Sequence, residues 1–166
     1  TSASEFVPSK CSGTTLTPGA SCAVDVTFTP AALNARNATL SIPSNASGSP
    51  HGVALSGNGV AAPAPAVTLS PASLAFGNQT VGGSITKPIT LTNSGSAALG
   101  VTSIVASGSG FTSAHNCATT LAAAASCTIN VTFTPTAVVA YAGAVTVTSA
   151  AAGNPHTVGL SGTGTA

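Results

Sequence analysis

Two stretches of the chain share one pattern of alternating apolar and polar residues. Residues 21–30 read SCAVDVTFTP and residues 126–135 read SCTINVTFTP. A period of two is typical of a β-strand with one face buried. In each stretch a cysteine begins the apolar series, which consists of Cys22, Val24, Val26 and Phe28 in the first and Cys127, Ile129, Val131 and Phe133 in the second. The chain therefore contains an internal repeat with a strand at its centre.

Only the second copy of the repeat has all its parts. Residues 1–59 match the later half of a unit, with Phe6 in place of Phe111 and His51 in place of His156. Residues 60–66 read VAAPAPA, which is an extended and semi-rigid connector because proline fixes φ and lacks a backbone donor. We therefore predict the later part of a first domain at 1–59, a Pro/Ala linker at 60–66 and a complete second domain at 67–166.

The second domain has about seven short alternating segments separated by turn residues, and no convincing helix. This pattern predicts an all-β fold, with tandem β-sandwiches of which the first is incomplete. Gly77 and Asn78 predict a turn after a short strand at residues 73–76. Pro88 predicts that its strand begins at a sheet edge or a bulge. The predicted strands lie at residues 67–70, 73–76, 85–93, 99–105, 127–134, 141–148 and 157–162.

The first domain lacks the equivalents of the strands that open the second. Half a sandwich leaves its apolar face in water and would not fold alone. Two explanations are open: the chain is a piece of a longer one, or another chain donates strands to the open edge.

The charge of the chain is very low, with three Lys or Arg and two Asp or Glu among 166 residues. Phosphate binding needs clustered basic side chains, so the composition excludes an electrostatic nucleic-acid partner and a polybasic membrane patch. No apolar run approaches the roughly 20 residues of a membrane-spanning helix. A near-neutral surface lacks the charge that keeps small domains apart. We therefore expect self-association, contact with other surface proteins, or a covering of sugars.

Several ordered motifs together resemble a known family. They are SPASLAFGNQTVG at residues 70–82, ITLTNSG at 89–95, VTFTP at 131–135 and LSGTG at 160–164, with the series Phe111, Cys117, Leu121 and Cys127 between them. This pattern resembles the bacterial choice-of-anchor D proteins, which are related to the ASPM, SPD-2, Hydin (ASH) group of immunoglobulin-like domains. The resemblance implies tandem immunoglobulin-like sandwiches in secreted or surface proteins, and it implies no activity.

The four cysteines are distributed as one pair per repeat. A pair inside a small β domain predicts a disulfide, so we expect Cys11 to bond Cys22 and Cys117 to bond Cys127. Closing a loop of about ten residues contributes roughly 2 to 3 kcal/mol in the chain-entropy model. Disulfides favour a secreted, extracellular or cell-surface location.

Catalysis and metal binding have little support in the residues. The carboxyl groups are those of Glu5 and Asp25, both in the incomplete domain, so a pair of catalytic carboxylates is implausible and we predict no enzyme. His51 and His156 occupy equivalent positions and could be imagined as repeated metal ligands. No second ligand accompanies either one, so we interpret them and His115 as loop or strand-start histidines, and predict no cofactor.

Two further features are candidate surface sites. N-x-S/T sequons make Asn37, Asn45 and Asn78 candidate glycosylation sites, whereas the sequon at Asn130 falls inside a predicted strand. Val138, Val139 and Tyr141 form an apolar segment that either packs locally or contacts a partner.

The sequence therefore supports two hypotheses for function. The first is a non-catalytic structural or interaction module of an extracellular or cell-surface protein, serving as a subunit or segment of a filament, stalk or surface assembly. The alternative is an adhesin-like, ligand- or carbohydrate-binding module of a larger secreted protein. Clustered exposed aromatic rings would favour the alternative, and the chain has a single tyrosine and no tryptophan.

Overall fold

The computed structural model describes residues 2–166, with side chains from residue 4 onward. Apart from one 3-10 turn at Ser2–Glu5, its regular elements are β-strands, so the all-β prediction is confirmed. The chain divides between Ala62 and Pro63 into two compact units, inside the proline-containing segment. The two units are described separately below.

The first unit consists of two antiparallel hairpins. Strand β1 (Phe6–Ser9) pairs with β2 (Asp25–Phe28), and β3 (Asn34–Ile42) pairs with β4 (His51–Gly59). The rings of Phe6 and Phe28 stack with their centroids 4.5 Å apart. The second unit repeats this contact, since Phe111 and Phe133 stack at 4.8 Å. Residues that align in sequence between the two copies therefore occupy equivalent positions in the two units.

The second unit contains nine strands. In chain order they are β5 (Val67–Ser70), β6 (Ser73–Thr80), β7 (Ile85–Asn93), β8 (Leu99–Ser107), β9 (Phe111–His115), β10 (Thr120–Leu121), β11 (Ser126–Phe133), β12 (Ala140–Ser149) and β13 (His156–Thr165).

These strands form the two layers of a β-sandwich. One sheet has the order β5-β7-β11-β9 and the other has the order β10-β8-β12-β13-β6. Neighbouring strands are antiparallel except for β13 and β6, which are parallel. The predicted sandwich is present, and two of its strands, β9 and β10, were missed because the segment around them lacks a sustained alternation.

The core of the second unit lies between its two sheets. Strands β7 and β11 contribute alternate residues from one sheet, and β12 and β13 contribute them from the other. Phe133 is fully buried, with Phe76 at 5.6 Å, Phe111 at 4.8 Å and Tyr141 at 5.3 Å between ring centroids. The residues with no exposed surface include Ile89, Leu91, Leu99, Ile129, Val131, Val145, Val147 and Val158.

Two local expectations have different outcomes. The predicted turn at Gly77 and Asn78 is wrong: β6 continues to Thr80, and its register with β13 shifts between Ser161 and Thr163. Gly77 has a φ of 73°, so the positive φ that suggested a turn produces a bulge instead. The expectation for Pro88 is confirmed, because β5 pairs with Thr90–Asn93 alone and the start of β7 has only β11 beside it.

Candidate functional site

The first unit exposes an apolar face that is closed in the second unit. Val147 and Val158 have no exposed surface, whereas their equivalents Ile42 and Val53 are 38% and 46% exposed. The equivalents of Val131 and Phe133 in β2 are half-buried rather than buried. Side chains at equivalent positions are thus buried in the second unit and accessible in the first.

The open face contains a groove of about 270 Å³. Its apolar lining includes Val24, Leu40 and Ile42, with Pro8 and Cys11 at one side. The equivalents of the first three are Ile129, Val145 and Val147, which belong to the same buried cluster as Ile89, Leu91 and Leu99 of β7 and β8. The groove therefore occupies the position that β7 and β8 fill in a complete unit.

Three strands of the first unit also have a free edge. In the second unit β11, β12 and β13 each have two neighbours, and their outer neighbours are β7, β8 and β6. The equivalent strands β2, β3 and β4 each pair with one neighbour in residues 2–62. Unpaired N–H and C=O groups along an edge can accept a further strand. Apolar surface and backbone hydrogen-bonding capacity therefore occur at the same place.

The two carboxylates of the first unit form ion pairs rather than a catalytic dyad. Glu5 is 4% exposed, and its carboxylate accepts the Ala31 N–H at 2.6 Å and the Arg36 Nε–H at 2.9 Å. Asp25 pairs with Lys10 on the surface. In the part of the chain from residue 2 to residue 166, His, Cys, Asp and Glu form no cluster that could hold a metal ion.

The segment containing Val138, Val139 and Tyr141 divides into an exposed and a buried part. Val138 and Val139 are 63% and 52% exposed, so they are available to a partner. Tyr141 is 9% exposed, and its Oη accepts the N–H groups of Thr136 at 2.9 Å and Ala137 at 2.8 Å. Of the two alternatives for Tyr141, the structure shows local packing and not a partner contact, because its ring is in the core and its hydroxyl accepts hydrogen bonds from the preceding loop.

Both predicted cysteine pairs are disulfide-bonded in the structure, with Cα atoms 6.0 Å apart for Cys11 and Cys22 and 5.0 Å apart for Cys117 and Cys127. Cys127 is 8% exposed and faces the core, whereas Cys22 is exposed. The exposure of the two cysteines thus differs in the same way as that of the neighbouring apolar residues, which are exposed in the first unit and buried in the second. Two disulfides are compatible with an extracellular location.

The histidines lie at strand ends. His51 begins β4 and is exposed, and His156 begins β13 and is half-buried with no partner for Nε2. His115 ends β9, where it pairs with Ile129, so its predicted loop position is wrong.

The sequons differ in their setting. Asn45 lies in the exposed loop between β3 and β4. Asn37 and Asn78 are exposed but belong to β3 and β6, so the expectation that they lie in loops is wrong. Of the candidate glycosylation sites, Asn45 has the loop setting typical of a modified asparagine.

One important residue escaped sequence reasoning. Asn93, the last residue of the predicted strand 85–93, has no exposed surface, and its Nδ2 donates to Ala97 O at 2.8 Å and Leu121 O at 3.1 Å. Its Oδ1 accepts the Gly95 N–H at 3.1 Å. Asn93 thereby joins the end of β7 to the segment before β11. The only signal in the sequence was an Asn-Ser-Gly turn, which does not specify these distant partners.

Among the described residues there is no helix with the length and apolar character needed to cross a bilayer. The sequence profile of the family described as Cep192 domain 4 matches residues 64–165. No curated protein matches the chain in sequence.

Solved structures are similar to this chain at low sequence identity. A protein of unknown function from Porphyromonas gingivalis is similar over 84% of this chain and 71% of its own, with 12% identity and a TM-score of 0.55. The ASH/PapD-like domain 7 of human CEP192 is similar over 60% of this chain and 84% of its own, with 17% identity and a TM-score of 0.48. The Vibrio cholerae secreted serine protease VesC is similar over 61% of this chain and 23% of its own, with 18% identity and a TM-score of 0.47.

At these identities the similarity to solved structures concerns the fold alone. The family match covers the whole second unit, from β5 to β13, and more than half of the 166 residues. The chain therefore belongs to the Cep192 domain 4 family, and its second unit is an immunoglobulin-like β-sandwich.

Proposed function

We propose that the protein is a non-catalytic interaction module of an extracellular or cell-surface assembly, and that the second unit contacts its partner through Val138 and Val139. The observation that carries this proposal is a pair of adjacent exposed valines on a surface with almost no charge. Lys87 is the only Lys, Arg, Asp or Glu after residue 62. Apolar contact is therefore opposed by little charge repulsion, which favours association between copies or with another surface protein.

The position of the valines suits a contact at one end of the sandwich. Gly164 N–H donates to Val139 O at 2.9 Å, and Tyr141 Oη fixes the N–H groups two and one residues before Val138. The loop is thus anchored on both sides while its two side chains remain accessible. An anchored loop loses little conformational entropy when a partner binds.

The extracellular setting and the resemblance to choice-of-anchor D proteins are part of the same proposal. The two disulfides support it, because they persist in oxidising compartments. The carbohydrate-binding alternative has less support, since Phe76, Phe111, Phe133 and Tyr141 are all buried and the second unit has no other Phe, Tyr or Trp. Sugar stacking needs an exposed ring face.

Replacing both valines with aspartate tests this contact. The change V138D with V139D introduces two charges into the apolar loop, and we expect it to weaken self-association by about tenfold or more, the equivalent of about 1.4 kcal/mol. Sedimentation velocity over a concentration series measures the effect. V105D is the matched control, because Val105 is 55% exposed and lies on β8, outside the loop.

Equal association of V138D/V139D, V105D and the unmodified chain would contradict the assignment of this loop. The proposed function itself would be contradicted by two results together: the unmodified chain stays monomeric at all concentrations, and no surface protein binds it through this loop.

A further inference from the structure

We propose that the free edge of β9 pairs with the same edge of a second copy of this chain, so that two four-stranded sheets join across β9. This inference concerns a strand edge and does not depend on the loop of Val138 and Val139. It rests on three observations: the unpaired backbone groups of β9, the features that block the other strand edges of the second unit, and a proline and a lysine at the equivalent positions of the first unit.

The backbone groups of β9 point alternately toward β11 and toward the free edge. Thr134 N–H donates to Gly110 O at 2.8 Å just before β9, and Asn116 N–H donates to Thr128 O at 3.2 Å just after it. Bonded and non-bonded pairs alternate in an antiparallel ladder, so every second residue between these two bonds faces outward. The outward residues are Phe111, Ser113 and His115. Within residues 2–166, no hydrogen bond reaches the backbone N–H or C=O groups of the last two.

The other strand edges of the second unit are short or blocked. Within residues 63–166, the strands at the ends of the two sheets are β5, β6, β9 and β10. β5 has four residues and is followed by Pro71, and β10 has two residues. β6 has a register shift in its pairing with β13, and Lys87 Nζ donates to Ala75 O of β6 at 2.7 Å. Short strands, prolines, bulges and lysines all oppose pairing at an edge, whereas β9 has five residues, an unbroken register and no proline, Lys, Arg, Asp or Glu.

The equivalent edge of the first unit is blocked at the same outward positions. β1 pairs with β2 in the register that β9 has with β11. The residues in place of Ser113 and His115 are Pro8 and Lys10. Pro8 has no N–H to donate, and Lys10 forms an ion pair with Asp25. One copy of this edge thus lacks an outward donor and carries charge, whereas the other copy has neither obstacle to pairing.

A second copy of the same edge fits these groups. Antiparallel pairing about a two-fold axis at Ser113 places this residue opposite its own equivalent and places Phe111 opposite His115. Ser113 of each copy then donates to and accepts from Ser113 of the other, and the His115 N–H reaches the Phe111 C=O. On the outer face Thr112 lies opposite Ala114, and these two small, uncharged side chains do not repel each other. Since the other edges of the second unit are short or blocked, β9 itself is the matching strand.

Hydrogen exchange of the unmodified chain over a concentration series tests the pairing. The amides of Ser113 and His115 are expected to exchange freely at low concentration, and to slow by about tenfold or more where most chains are paired. The amides of Thr112 and Ala114 face β11 in either state, so they serve as an internal control and are expected to depend little on concentration.

One substitution in β9 tests the register. S113P removes the central donor of the pair and introduces a residue that the first unit already contains at this position. We expect it to raise by about tenfold or more the concentration at which the His115 amide becomes protected, because each pair of chains loses two hydrogen bonds. S113A is the matched control, since it shortens the same side chain but keeps the N–H, and it is expected to pair as the unmodified chain does. Both variants retain Val138 and Val139, so edge pairing is measured separately from the loop contact.

Three results would overturn the proposal. The first is exchange at Ser113 and His115 that stays fast at every concentration. The second is pairing of S113P as tight as that of S113A, since the central donor would then have no part in it. The third is protection that appears only when another surface protein is added, because the edge would then belong to a different partner. If S113P does not fold, the concentration series on the unmodified chain decides alone.

Discussion

At the scale of single residues, the two units use different side chains to accept hydrogen bonds from the same loop. Tyr141 packs over Gly110 and uses its hydroxyl to accept two loop N–H groups. In the first unit the equivalents of Gly110 and Tyr141 are Glu5 and Arg36. There the Glu5 carboxylate accepts the loop N–H of Ala31, and Arg36 neutralises it. An acceptor for the loop is thus retained although both residue types have changed.

These hydrogen bonds affect the ionisation of Tyr141. The Thr136 hydroxyl, 3.3 Å from Oη, and the N–H groups of Thr136 and Ala137 hold the pKa of Tyr141 below its ordinary value, with partial opposition from burial. Since the unfolded chain then binds more protons in the window below pH 10.0, stability is expected to rise with pH as Tyr141 ionises, and to lose this increment as pH falls through the folded pKa.

The titration can be measured without interference, because the chain contains one tyrosine. We expect the ultraviolet absorbance of tyrosinate to appear at lower pH in the native protein than in the protein unfolded in denaturant. T136A removes the first of the three donors and is expected to move the native midpoint back toward that of the unfolded chain. A native midpoint equal to or above the unfolded one would contradict the hydrogen bonding described for this loop.

At the scale of elements, the strand with the cysteine at its start is central to both units. Its second-unit form, β11, lies between β7 and β9 and is buried on alternate positions from Cys127 to Phe133. The disulfide between Cys127 and Cys117 connects the start of β11 to the segment after β9. Because Cys127 faces the core and Cys22 does not, the two disulfides are expected to differ in what their loss does.

Removing each disulfide tests this difference. C117A with C127A is expected to lower the free energy of unfolding of the second unit by about 2 to 4 kcal/mol, through lost loop closure and a small core cavity. The matched pair C11A and C22A is expected to leave that transition unchanged. Tyr141 fluorescence during denaturant unfolding measures the second unit specifically, since the chain has no other tyrosine and no tryptophan. Equal effects of the two pairs would show that the disulfides do not act within separate units.

The alternation along β2, β7, β11 and β12 was sufficient to predict these strands and the sandwich. It was insufficient for β9 and β10, whose positions depend on pairing with β11 and β8 rather than on their own pattern. Apolar character alone did not decide whether Tyr141 packs locally or contacts a partner, because the residues that cover its ring, such as Phe133 and Gly110, lie outside its own segment. Asn93 was missed for the same reason, since Leu121 and Ala97 reach it only in the folded unit.

At the scale of the whole molecule, the chain combines one closed sandwich with one that is open along three strand edges. The closed unit carries the family match, a nearly uncharged surface and an exposed pair of valines. The open unit carries four of the five charged residues and the apolar groove. The two units therefore differ in charge and in how much of their equivalent apolar surface is exposed.

Hydrogen exchange of the unmodified chain, residue by residue, at equivalent positions of the two units tests whether the first unit is open while the second is closed. Val145 and Val147 in β12 are expected to exchange only through global unfolding of the second unit. Leu40 and Ile42, their equivalents in β3, are expected to exchange faster by at least about 100-fold, because β3 has a free edge and a partly exposed face. Equal protection at the two pairs of positions would contradict this difference between the units, since it would mean that the first unit is already closed.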